Sequence, residues 1–331
     1  MKNYDIAIIG SGFVGSSIAE YLQKFFKVVT ISRNAQPDWL RKYNIDHKIC
    51  DIRDYDKLFT LIENPSIVIH TAVTRIPETN RDKAKAYETN VLGTQNVCKV
   101  LAKNPNIIGL ILTSSMNVVG EKNLTGKVDE EYGYHPERIG KDPQIYSLSK
   151  IMQECIVRYY DELFPKKCFG MLRFDSVIGE RMHKDFFVNI FIEQGLKGTE
   201  ITPYKNSIYR QMFFTAIQDI CESVKLFIEL ILNDEKFRKN NKNHIFNLLY
   251  PQIFSIQKIA NIVRESIITH SNGKISPVVK IVDKGIEETY EKNEEEEIQI
   301  DVSKVLKILQ IDDVTNPKNA IDDIIKKRLM I

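Results

Sequence analysis

A tyrosine and a lysine four residues apart, Tyr146 and Lys150, are the residues of this 331-residue chain whose types and spacing could do chemistry. In a helix this spacing places a phenol and an ammonium group on one face, one turn apart. A neighbouring cation lowers the pKa of a phenol from its ordinary value of about 10, so the tyrosine can donate or accept a proton near neutral pH. The pair therefore indicates proton transfer to a reacting oxygen.

A glycine-rich turn near the amino terminus gives this pair a context. Its glycines and the residues between the last two are Gly10, Gly12, Phe13, Val14 and Gly15. The apolar run 5–9 before the turn predicts a buried strand, and residues 16–22 after it predict a helix. In such a turn, glycines let the backbone approach a pyrophosphate, and the helix N-terminus supplies amide donors. An ordinary tight turn is the alternative. With the Tyr146 pair, the turn suggests an enzyme that transfers a hydride and a proton to a carbonyl.

The end of the second predicted strand, residues 27–31, bears on the type of dinucleotide. A carboxylate about 20 residues beyond the glycines bonds the adenosine ribose in NAD sites, whereas an arginine accommodates the 2′-phosphate of NADP. No acid stands at this strand end, where Ser32 and Arg33 follow instead. A guanidinium can pair bidentately with a phosphate, although an arginine at a strand end can also be merely solvated. We expect NADP as the cofactor, with NAD as the second choice.

Strands that alternate with helices must hold these residues in place. Further strands are predicted at 47–50, 66–71, 107–113 and 168–174, with helical patterns between most of them. Alternation of this kind predicts an α/β fold, a Rossmann-type doubly wound parallel sheet covered on both faces. Ligands in such sheets bind beyond the carboxyl ends of the strands, and Ser115 lies at one such end. A strand cap is the alternative role for this serine.

Two lobes are expected from the length and from a change of pattern after residue 175. We predict that residues 1–175 form the dinucleotide-binding domain, rejoined by about 217–249. A smaller C-terminal α/β lobe of residues 176–216 and 250–331 should bind the substrate. Helices are predicted near 185–195, 217–232 and 255–269.

Composition narrows the class of protein. The net charge is +2, from 46 basic and 44 acidic residues, so neither nucleic acid nor an anionic membrane is expected as a partner. The five cysteines form no pair or cluster with metal-ligand spacing, so we expect reduced, mostly buried thiols and no metal. No apolar run of 18 residues occurs, and we expect a soluble cytoplasmic protein. The acidic run 294–297 is interpreted as a solvated turn or helix face.

The ordered motifs resemble those of the extended short-chain dehydrogenase/reductase family, the NAD-dependent epimerase/dehydratase group whose members mostly act on nucleotide sugars. The resemblance covers nearly the whole chain. Six motifs carry it: 10–15 (GSGFVG), 50–54 (CDIRD), 69–73 (IHTAV), 89–94 (TNVLGT), 112–120 (LTSSMNVVG) and 146–150 (YSLSK).

The resemblance implies roles for individual residues. Tyr146 would be the general acid/base, and Lys150 would lower its pKa and bond the nicotinamide ribose. Ser115 would hydrogen-bond the substrate oxygen, and Asn90 would hold the helix and a water relay beside Lys150. The residues implied at the cofactor are Asp51 and Ile52 at the adenine, and Thr71, Ala72 and Val73 along the strand end.

Departures from the family pattern concern the substrate. Dehydratases of the family carry acid-base carboxylates directly after the serine. This chain has Met116 and Asn117 at those positions, so the pattern disfavours a dehydratase. The asparagine that often contacts the sugar nucleotide is here Ser176. Family members carry an arginine that binds the diphosphate of the substrate. When Asp219 is aligned with the family pattern, Met212 stands at the position of this arginine. Arg210 is the nearby candidate.

Several functions stay open from the sequence. The leading prediction is an NADP-dependent reductase of a nucleotide-linked keto-sugar or a similar carbonyl compound. A nucleotide-sugar epimerase that uses NAD is the enzymatic alternative, and a non-catalytic NADP-binding sensor or scaffold is the alternative from another class. The resemblance also implies a homodimer through helices around 83–101 and 145–164. The second helix carries an apolar stripe, Leu148, Met152, Cys155 and Tyr159, which could instead pack internally.

Overall fold

The computed structural model describes residues 4–43, 45–62, 64–120, 124, 126–140, 144–240, 244–288 and 298–330. The acidic run 294–297 lies outside them. The strands are β1 (Ile6–Ile9), β2 (Val28–Ser32), β3 (Asp46–Ile49), β4 (Ile67–His70), β5 (Gly109–Ser115), β6 (Lys127–Val128), β7 (Cys168–Phe174), β8 (Val177–Ile178), β9 (Gln211–Met212), β10 (Thr215–Ala216), β11 (Ile245–Asn247), β12 (Phe254–Ser255) and β13 (Gln299–Ile300).

The helices surround these strands. They are α1 (Phe13–Leu22), α2 (Asp38–Arg41), α3 (Tyr55–Leu61), α4 (Glu78–Arg81), α5 (Lys83–Tyr87), α6 (Gly93–Lys103), α7 (Gln144–Leu163), α8 (Phe187–Leu196), α9 (Ile217–Asn233), α10 (Glu235–Arg238), α11 (Ile256–His270), α12 (Ser303–Leu309) and α13 (Pro317–Leu329). A π-helical turn, Glu88–Leu92, joins α5 to α6, and a 3₁₀ turn, Met116–Val119, follows β5.

Seven strands form one sheet in the order β11, β7, β5, β4, β1, β2, β3, and every neighbouring pair is parallel. The chain runs outward from β1 to β3 in one direction and then crosses to β4 and beyond in the other. This reversal beside β1 is the topological switch point, where ligands bind in doubly wound sheets. The predicted Rossmann-type α/β fold is confirmed.

Two apolar clusters cover the two faces of the sheet. Along β1, Ile6 and Ile8 pack in one cluster with α1 and α9, while Ala7 and Ile9 pack in the other with α3, α6 and α7. Successive side chains of a strand point to opposite faces, so a strand buried on both faces must be apolar throughout. Burial of β1 on both sides fixes where the strand ends and where the turn at Gly10 begins.

A third apolar cluster joins α8, α11 and α13, through residues such as Ile192, Val263 and Ile325. Helix α9 packs on α1, and β11 extends the sheet beside β7. Val305 and Leu309 of α12 pack in the cluster that α1 and α9 form on one face of the sheet, and not in the third cluster. The division into two lobes stays a prediction. Because α12 packs on the sheet, the predicted C-terminal lobe 250–331 would have to leave this helix out.

Three further features concern partners and chemistry. Among the described residues, no helix is both long and apolar enough to cross a bilayer. The same residues hold no group of three or more His, Cys, Asp or Glu side chains that could bind a metal ion. None of the cysteines is in a disulfide; Cys155 is exposed, and the other four are buried.

Candidate active site

The carboxyl ends of β1, β2, β4, β5 and β7 open onto one cavity of about 860 Å³. Most of the predicted site residues line this cavity. They are Gly10, Gly12, Phe13, Val14, Gly15, Ser32, Arg33, Asp51, Ile52, Thr71, Ala72, Val73, Ser115, Asn117, Tyr146, Lys150 and Ser176. Three predicted residues, Asn90, Met116 and Arg210, are not among the lining residues.

The glycine-rich turn is packed too closely for side chains at two of its three glycines. A Cβ on Gly10, whose φ is +104°, would lie 2.6 Å from the amide nitrogen of Ala72, and a Cβ on Gly15 would lie 2.0 Å from the carbonyl oxygen of Gly10. A Cβ on Gly12 would meet no described atom within 4 Å. Gly12 therefore leaves open the approach to the N-terminus of α1, which suits the pyrophosphate of a dinucleotide.

The adenosine end of the cavity presents two hydroxyl groups and a guanidinium. The hydroxyls of Ser11 and Ser32 are 2.7 Å apart, and Ser32 donates to the carbonyl oxygen of Asn34 at 2.8 Å. Among the described residues, Arg33 has no hydrogen-bond or ion-pair partner. These groups fit an anion such as a phosphate.

The Asp51 carboxylate at the adenosine end of the cavity is already hydrogen-bonded to Arg53. Arg53 donates to the two oxygens of Asp51 at 3.1 and 2.9 Å and to Glu88 at 2.7 Å. The hydrogen bonds from Arg53 hold the pKa of Asp51 below its ordinary value. Asp51 is therefore ionised and oriented by Arg53 at the edge of the cavity.

Three of the four predicted catalytic residues, Ser115, Tyr146 and Lys150, meet at the centre of the cavity. Tyr146 and Lys150 project from the first turns of α7, and Ser115 is the last residue of β5. The phenol of Tyr146 is hydrogen-bonded to the side chain of Ser115. The ammonium of Lys150 lies 5.8 Å from the centre of the Tyr146 ring and donates to the carbonyl oxygen of Thr113 at 2.8 Å.

The electrostatics of this centre differ from the expectation that Lys150 lowers the pKa of Tyr146. Burial and the charge of Asp175 raise the pKa of Tyr146 well above its ordinary value, and the hydrogen bond to Ser115 opposes them only in part. Burial also lowers the pKa of Lys150 to about 8, because loss of water disfavours the charged form of both groups. The phenol is therefore protonated at neutral pH, as an unperturbed phenol also is.

Asn90 connects two elements of the site without entering the cavity. Its side-chain oxygen accepts from the amide of Thr74 at 2.7 Å, and its nitrogen donates to the Thr74 carbonyl at 3.0 Å and to Ser149 at 2.9 Å. Ser149 in turn donates to the carbonyl oxygen of Tyr146 at 2.7 Å. Asn90 thus ties the loop after β4 to α7. Its side-chain amide donates the last two of these bonds, and the water relay beside Lys150 stays a prediction.

A buried ion pair fixes α7 on the sheet. Arg173 of β7 donates to both carboxylate oxygens of Glu154, with closest distances of 2.9 and 2.8 Å, and both side chains are fully buried. Ser114 and Tyr134 also donate to this carboxylate. The negative charge of Glu154 partly opposes the lowering of the pKa of Lys150 one turn away.

Two of the four predicted substrate residues lie away from the cavity. Met116 is 1% exposed and packs in the cluster that α1 and α9 form on the sheet, because the chain enters the 3₁₀ turn directly after Ser115 and directs this side chain into the core. Arg210 precedes β9, which pairs with β12, and it is outside the set of lining residues. Asn117 and Ser176 line the cavity as predicted.

Charged residues that sequence reasoning missed also line the cavity. They are Arg75 and Glu78 after β4, Asp175 after β7, and His183 and Asp185 before α8. Asp175 directly follows a predicted strand, so its position at a carboxyl end could have identified it. His183 lies in an irregular segment that carries no periodic signal, and Asp185 stands at the start of the helix predicted near 185–195, which begins at Phe187 in the structure.

Residues 179–186, which we call the strap, contribute Met182, His183, Asp185 and Phe186 to the wall of the cavity. On one side, Arg181 pairs with Glu20 of α1 and stacks on Trp39, with its guanidinium carbon 3.7 Å from the ring centre. On the other side, Asp185 accepts from Arg75 at 3.2 Å. The strap is thereby attached to α1 on one flank of the cavity and to the loop after β4 on the other.

Comparison with known proteins identifies the family. The family model described as "NAD dependent epimerase/dehydratase family" matches residues 6–248, from β1 to just beyond β11. The chain belongs to this family. It is an enzyme of the extended short-chain dehydrogenase/reductase type, as the resemblance of its motifs implied.

Curated relatives within this family differ in reaction. A UDP-N-acetyl-alpha-D-glucosaminuronate decarboxylase of Bacillus cytotoxicus is 25% identical over 300 residues, which are 87% of this chain and 88% of the relative. A UDP-glucose 4-epimerase of Mycoplasma genitalium is 29% identical over 162 residues, 46% of each chain.

Solved structures share the fold. A UDP-glucose 4-epimerase of Thermotoga maritima with UDP-glucose has a TM-score of 0.75 at 18% identity, over 98% of this chain and 99% of that one. A UDP-glucuronic acid 4-epimerase of Bacillus cereus, in complex with UDP-glucuronic acid and NAD, has a TM-score of 0.74 at 20% identity, with the same coverage.

Proposed function

We propose that the protein reduces the carbonyl of a nucleotide-linked keto-sugar, with NADP as the cofactor and Tyr146 as the general acid. The observation that carries the proposal is the buried, protonated phenol of Tyr146 hydrogen-bonded to Ser115 in the wall of the cavity. Reduction of a carbonyl creates a negative oxygen that needs a proton, and a phenol that is protonated at neutral pH can donate one. The Ser115 hydroxyl can steady the same oxygen.

The cofactor, when bound, supplies the hydride. The chain's own residues have separate tasks: Gly12 leaves room for the pyrophosphate, and the N-terminus of α1 offers its amides. Lys150, held by Thr113, keeps a positive charge beside Tyr146 below about pH 8. Asn90 holds the loop after β4 against the turn of α7 that presents the phenol.

The choice of NADP rests on the adenosine end of the cavity. Arg33, Ser11 and Ser32 offer a guanidinium and hydroxyls to a 2′-phosphate, while the carboxylate of Asp51 is bound by Arg53. NAD is the cofactor named for the related structure from Bacillus cereus, and it is the second choice.

The nucleotide sugar is proposed from the relatives and from the shape of the site. Several relatives are named for UDP-linked sugars. In this chain the substrate end is formed by the loop after β4, residues 175–177 and the strap. A thermal-shift series with UDP, dTDP, UDP-glucose and NADP tests this class, since a ligand that binds the folded state raises the melting temperature. No shift with any of the uridine or thymidine nucleotides would reject a nucleotide-linked substrate of either kind.

A direct assay tests the reaction. We expect the purified protein to carry little nicotinamide and to oxidise NADPH faster than NADH with dTDP-4-keto-6-deoxyglucose as the probe. A reductase must exchange its spent cofactor in every turnover, so tight retention would be a disadvantage. Stoichiometric NAD that survives gel filtration, together with no net NADPH oxidation, would reject the reductase.

An epimerase that uses NAD is the second candidate, and the strap favours it. The ion pairs of Arg181 and Asp185 attach the strap to both flanks of the cavity, which would slow the release of a bound dinucleotide. An epimerase returns its hydride to the same substrate and gains from such retention. Interconversion of UDP-glucose and UDP-galactose by protein that contains its own NAD would support this candidate.

We also propose that the protein is a homodimer. The stripe on α7 predicted for this role faces solvent: Met152 and Tyr159 are 46% and 61% exposed, and Leu92 beside α6 is 56% exposed. Apolar side chains grouped on an exposed face indicate a contact with another chain. Light scattering at micromolar concentration should give twice the monomer mass, and Tyr159→Arg with Met152→Arg should give the monomer. A monomeric mass for the unmodified protein would contradict the proposal.

A further inference from the structure

Arg75 is a charged residue in the wall of the cavity that has no role in the proposed reaction. It belongs to the loop after β4, and its guanidinium lines the cavity beside the strap. Among the described lining residues, one other arginine occurs, Arg33, and it stands at the adenosine end. The two guanidinium groups therefore serve different parts of the cavity.

The position of Arg75 is tied to the reacting centre. The preceding residue, Thr74, is bound through both its amide and its carbonyl to Asn90, and Asn90 also holds Ser149. Ser149 donates to the backbone of Tyr146. This continuous set of hydrogen bonds fixes the backbone at Arg75 relative to the phenol. The loop that carries Arg75 is therefore bonded to the turn of α7 that presents the phenol.

The guanidinium of Arg75 is already paired with a carboxylate of the protein, that of Asp185. One terminal nitrogen of Arg75 donates to the two oxygens of Asp185 at 3.3 and 3.2 Å, and the other donates to the carbonyl oxygen of Ile76 at 2.9 Å. The side chains of this ion pair are 44% and 56% exposed. Exposed pairs of this kind stabilise a protein only slightly, so a substrate carboxylate can displace Asp185 at little cost.

The neighbouring charges leave Arg75 as the cation for a substrate anion at this end. Glu78 pairs with Lys85 at 3.2 Å, and Lys150 is buried against Thr113. Burial and the charge of Arg75 both lower the pKa of His183, so this imidazole is neutral at neutral pH. Asp175, the remaining acid of the cavity, faces Tyr146.

We infer that Arg75 binds a carboxylate on the sugar ring of the substrate, so that the substrate is an acidic nucleotide sugar and Asp185 holds the arginine until the substrate arrives. This inference rests on the proposed nucleotide-sugar substrate. A carboxylate suits the site because guanidinium and carboxylate form paired, charge-assisted hydrogen bonds. We choose a group on the sugar over the diphosphate because the loop that carries Arg75 is bonded to the turn of α7 that presents the phenol.

The test compares three probes on the NADP-loaded protein by calorimetry: UDP, UDP-glucose and UDP-glucuronic acid. The unmodified protein should bind UDP-glucuronic acid about tenfold to a hundredfold more tightly than UDP-glucose, the range for one charge-assisted contact. Arg75→Ala should remove this preference and leave the affinities for UDP and for NADP within about twofold. Arg75→Lys should keep only part of the preference, because an ammonium cannot form the paired contact.

Asp185→Asn is the matched control. It breaks the same ion pair to the strap but leaves the guanidinium in place, so it separates loss of the cation from loosening of the strap. We expect it to keep the preference and to bind UDP-glucuronic acid several-fold more tightly, because the competing carboxylate is gone.

The outcomes distinguish this inference from the proposed function. If the protein binds UDP-glucose and UDP-glucuronic acid equally, or if Arg75→Ala keeps the preference, the inference is wrong and the nucleotide-sugar substrate stands. If Asp185→Asn loses the preference as completely as Arg75→Ala, the arginine acts only through the strap, and the inference is also wrong. If the unmodified protein binds none of the three probes, the uridine-linked substrate is rejected, and the inference is rejected with it.

Discussion

The two ends of the cavity are built in different ways. At the dinucleotide end, backbone packs directly on backbone, as at Gly15, where a Cβ would lie 2.0 Å from the carbonyl of Gly10. The centre next to it rests on the fully buried ion pair of Glu154 and Arg173. At the substrate end, side chains from separate segments meet through an exposed ion pair, Arg75 with Asp185.

This difference shows where the site can vary. Removing one partner of a buried ion pair costs about 3–5 kcal/mol, whereas an exposed pair contributes about 0–1 kcal/mol. Substitution in the tightly packed glycine turn or in the buried ion pair should therefore cost much stability. Substitution at the substrate end should cost little. Under the proposed function, the hydride and proton chemistry belongs to the first region, and the choice of substrate to the second.

The largest expected effect is at the boundary of the two regions. Tyr146→Phe should leave NADP binding nearly intact and lower turnover by about two to four orders of magnitude, because the proton donor is lost. Calorimetry with NADP and steady-state assays measure the two quantities. Unchanged turnover would remove the tyrosine from the mechanism and weaken the contrast between the two ends.

The buried centre should also respond to pH. Burial lowers the pKa of Lys150 from 10.5 to about 8, so between these values the unfolded chain binds more protons than the folded protein. The free energy of unfolding should then rise with pH from about 8 to 10.5, by about 3 kcal/mol at 1.36 kcal/mol per pKa unit. Urea unfolding of the NADP-free protein, with Lys150→Met as the reference, measures this gain. A difference between the two proteins that does not vary with pH would place Lys150 in contact with water.

At the adenosine end, one exposed side chain should decide the cofactor. Arg33→Ala should weaken NADPH by about tenfold to a hundredfold, since a charge-assisted hydrogen bond is worth about 1.5–3 kcal/mol, and should leave NADH almost unchanged. Fluorescence titration with both cofactors measures the ratio. An equal effect on the two would favour the NAD-dependent epimerase.

The glycines of the turn allow a direct test of the rigid region. Gly15→Ala should destabilise the protein by about 1–3 kcal/mol or more, because the added methyl overlaps the backbone of Gly10. Gly12→Ala is its control: the free energy of unfolding should change by less than about 0.5 kcal/mol, while NADP binds more weakly because the methyl enters the cavity. Equal stability of the two variants would contradict the packing described for the turn.

The smallest effect is expected at the strap. Arg181→Ala removes an ion pair with Glu20 and a contact with Trp39, which together contribute about 1 kcal/mol at a partly exposed site. We expect NADP to dissociate about twofold to fivefold faster, with a loss of stability of about 1 kcal/mol. Stopped-flow release of NADPH measures the rate. An unchanged rate would show that the strap does not retain the cofactor.

The sequence by itself determined the sheet and the chemistry of the dinucleotide end. Burial of β1 on both faces requires a continuous apolar run, and the turn at Gly10 and Gly15 requires glycine, so both leave signals within a few residues. The spacing of Tyr146 and Lys150 is likewise local, because one helical turn sets it. Prediction was sufficient for these features.

Only the tertiary structure decided the rest. Arg75 and Asp185 are 110 residues apart in the chain, and no local pattern relates them. Met116 follows Ser115 directly, yet it points into the core, because the 3₁₀ turn reverses the direction of the side chain. The sign of the pKa change at Tyr146 also depended on burial, which outweighs the hydrogen bond to Ser115. Contacts between distant segments and loss of water are properties of the folded chain, and these are what set the substrate end and the protonation of the site.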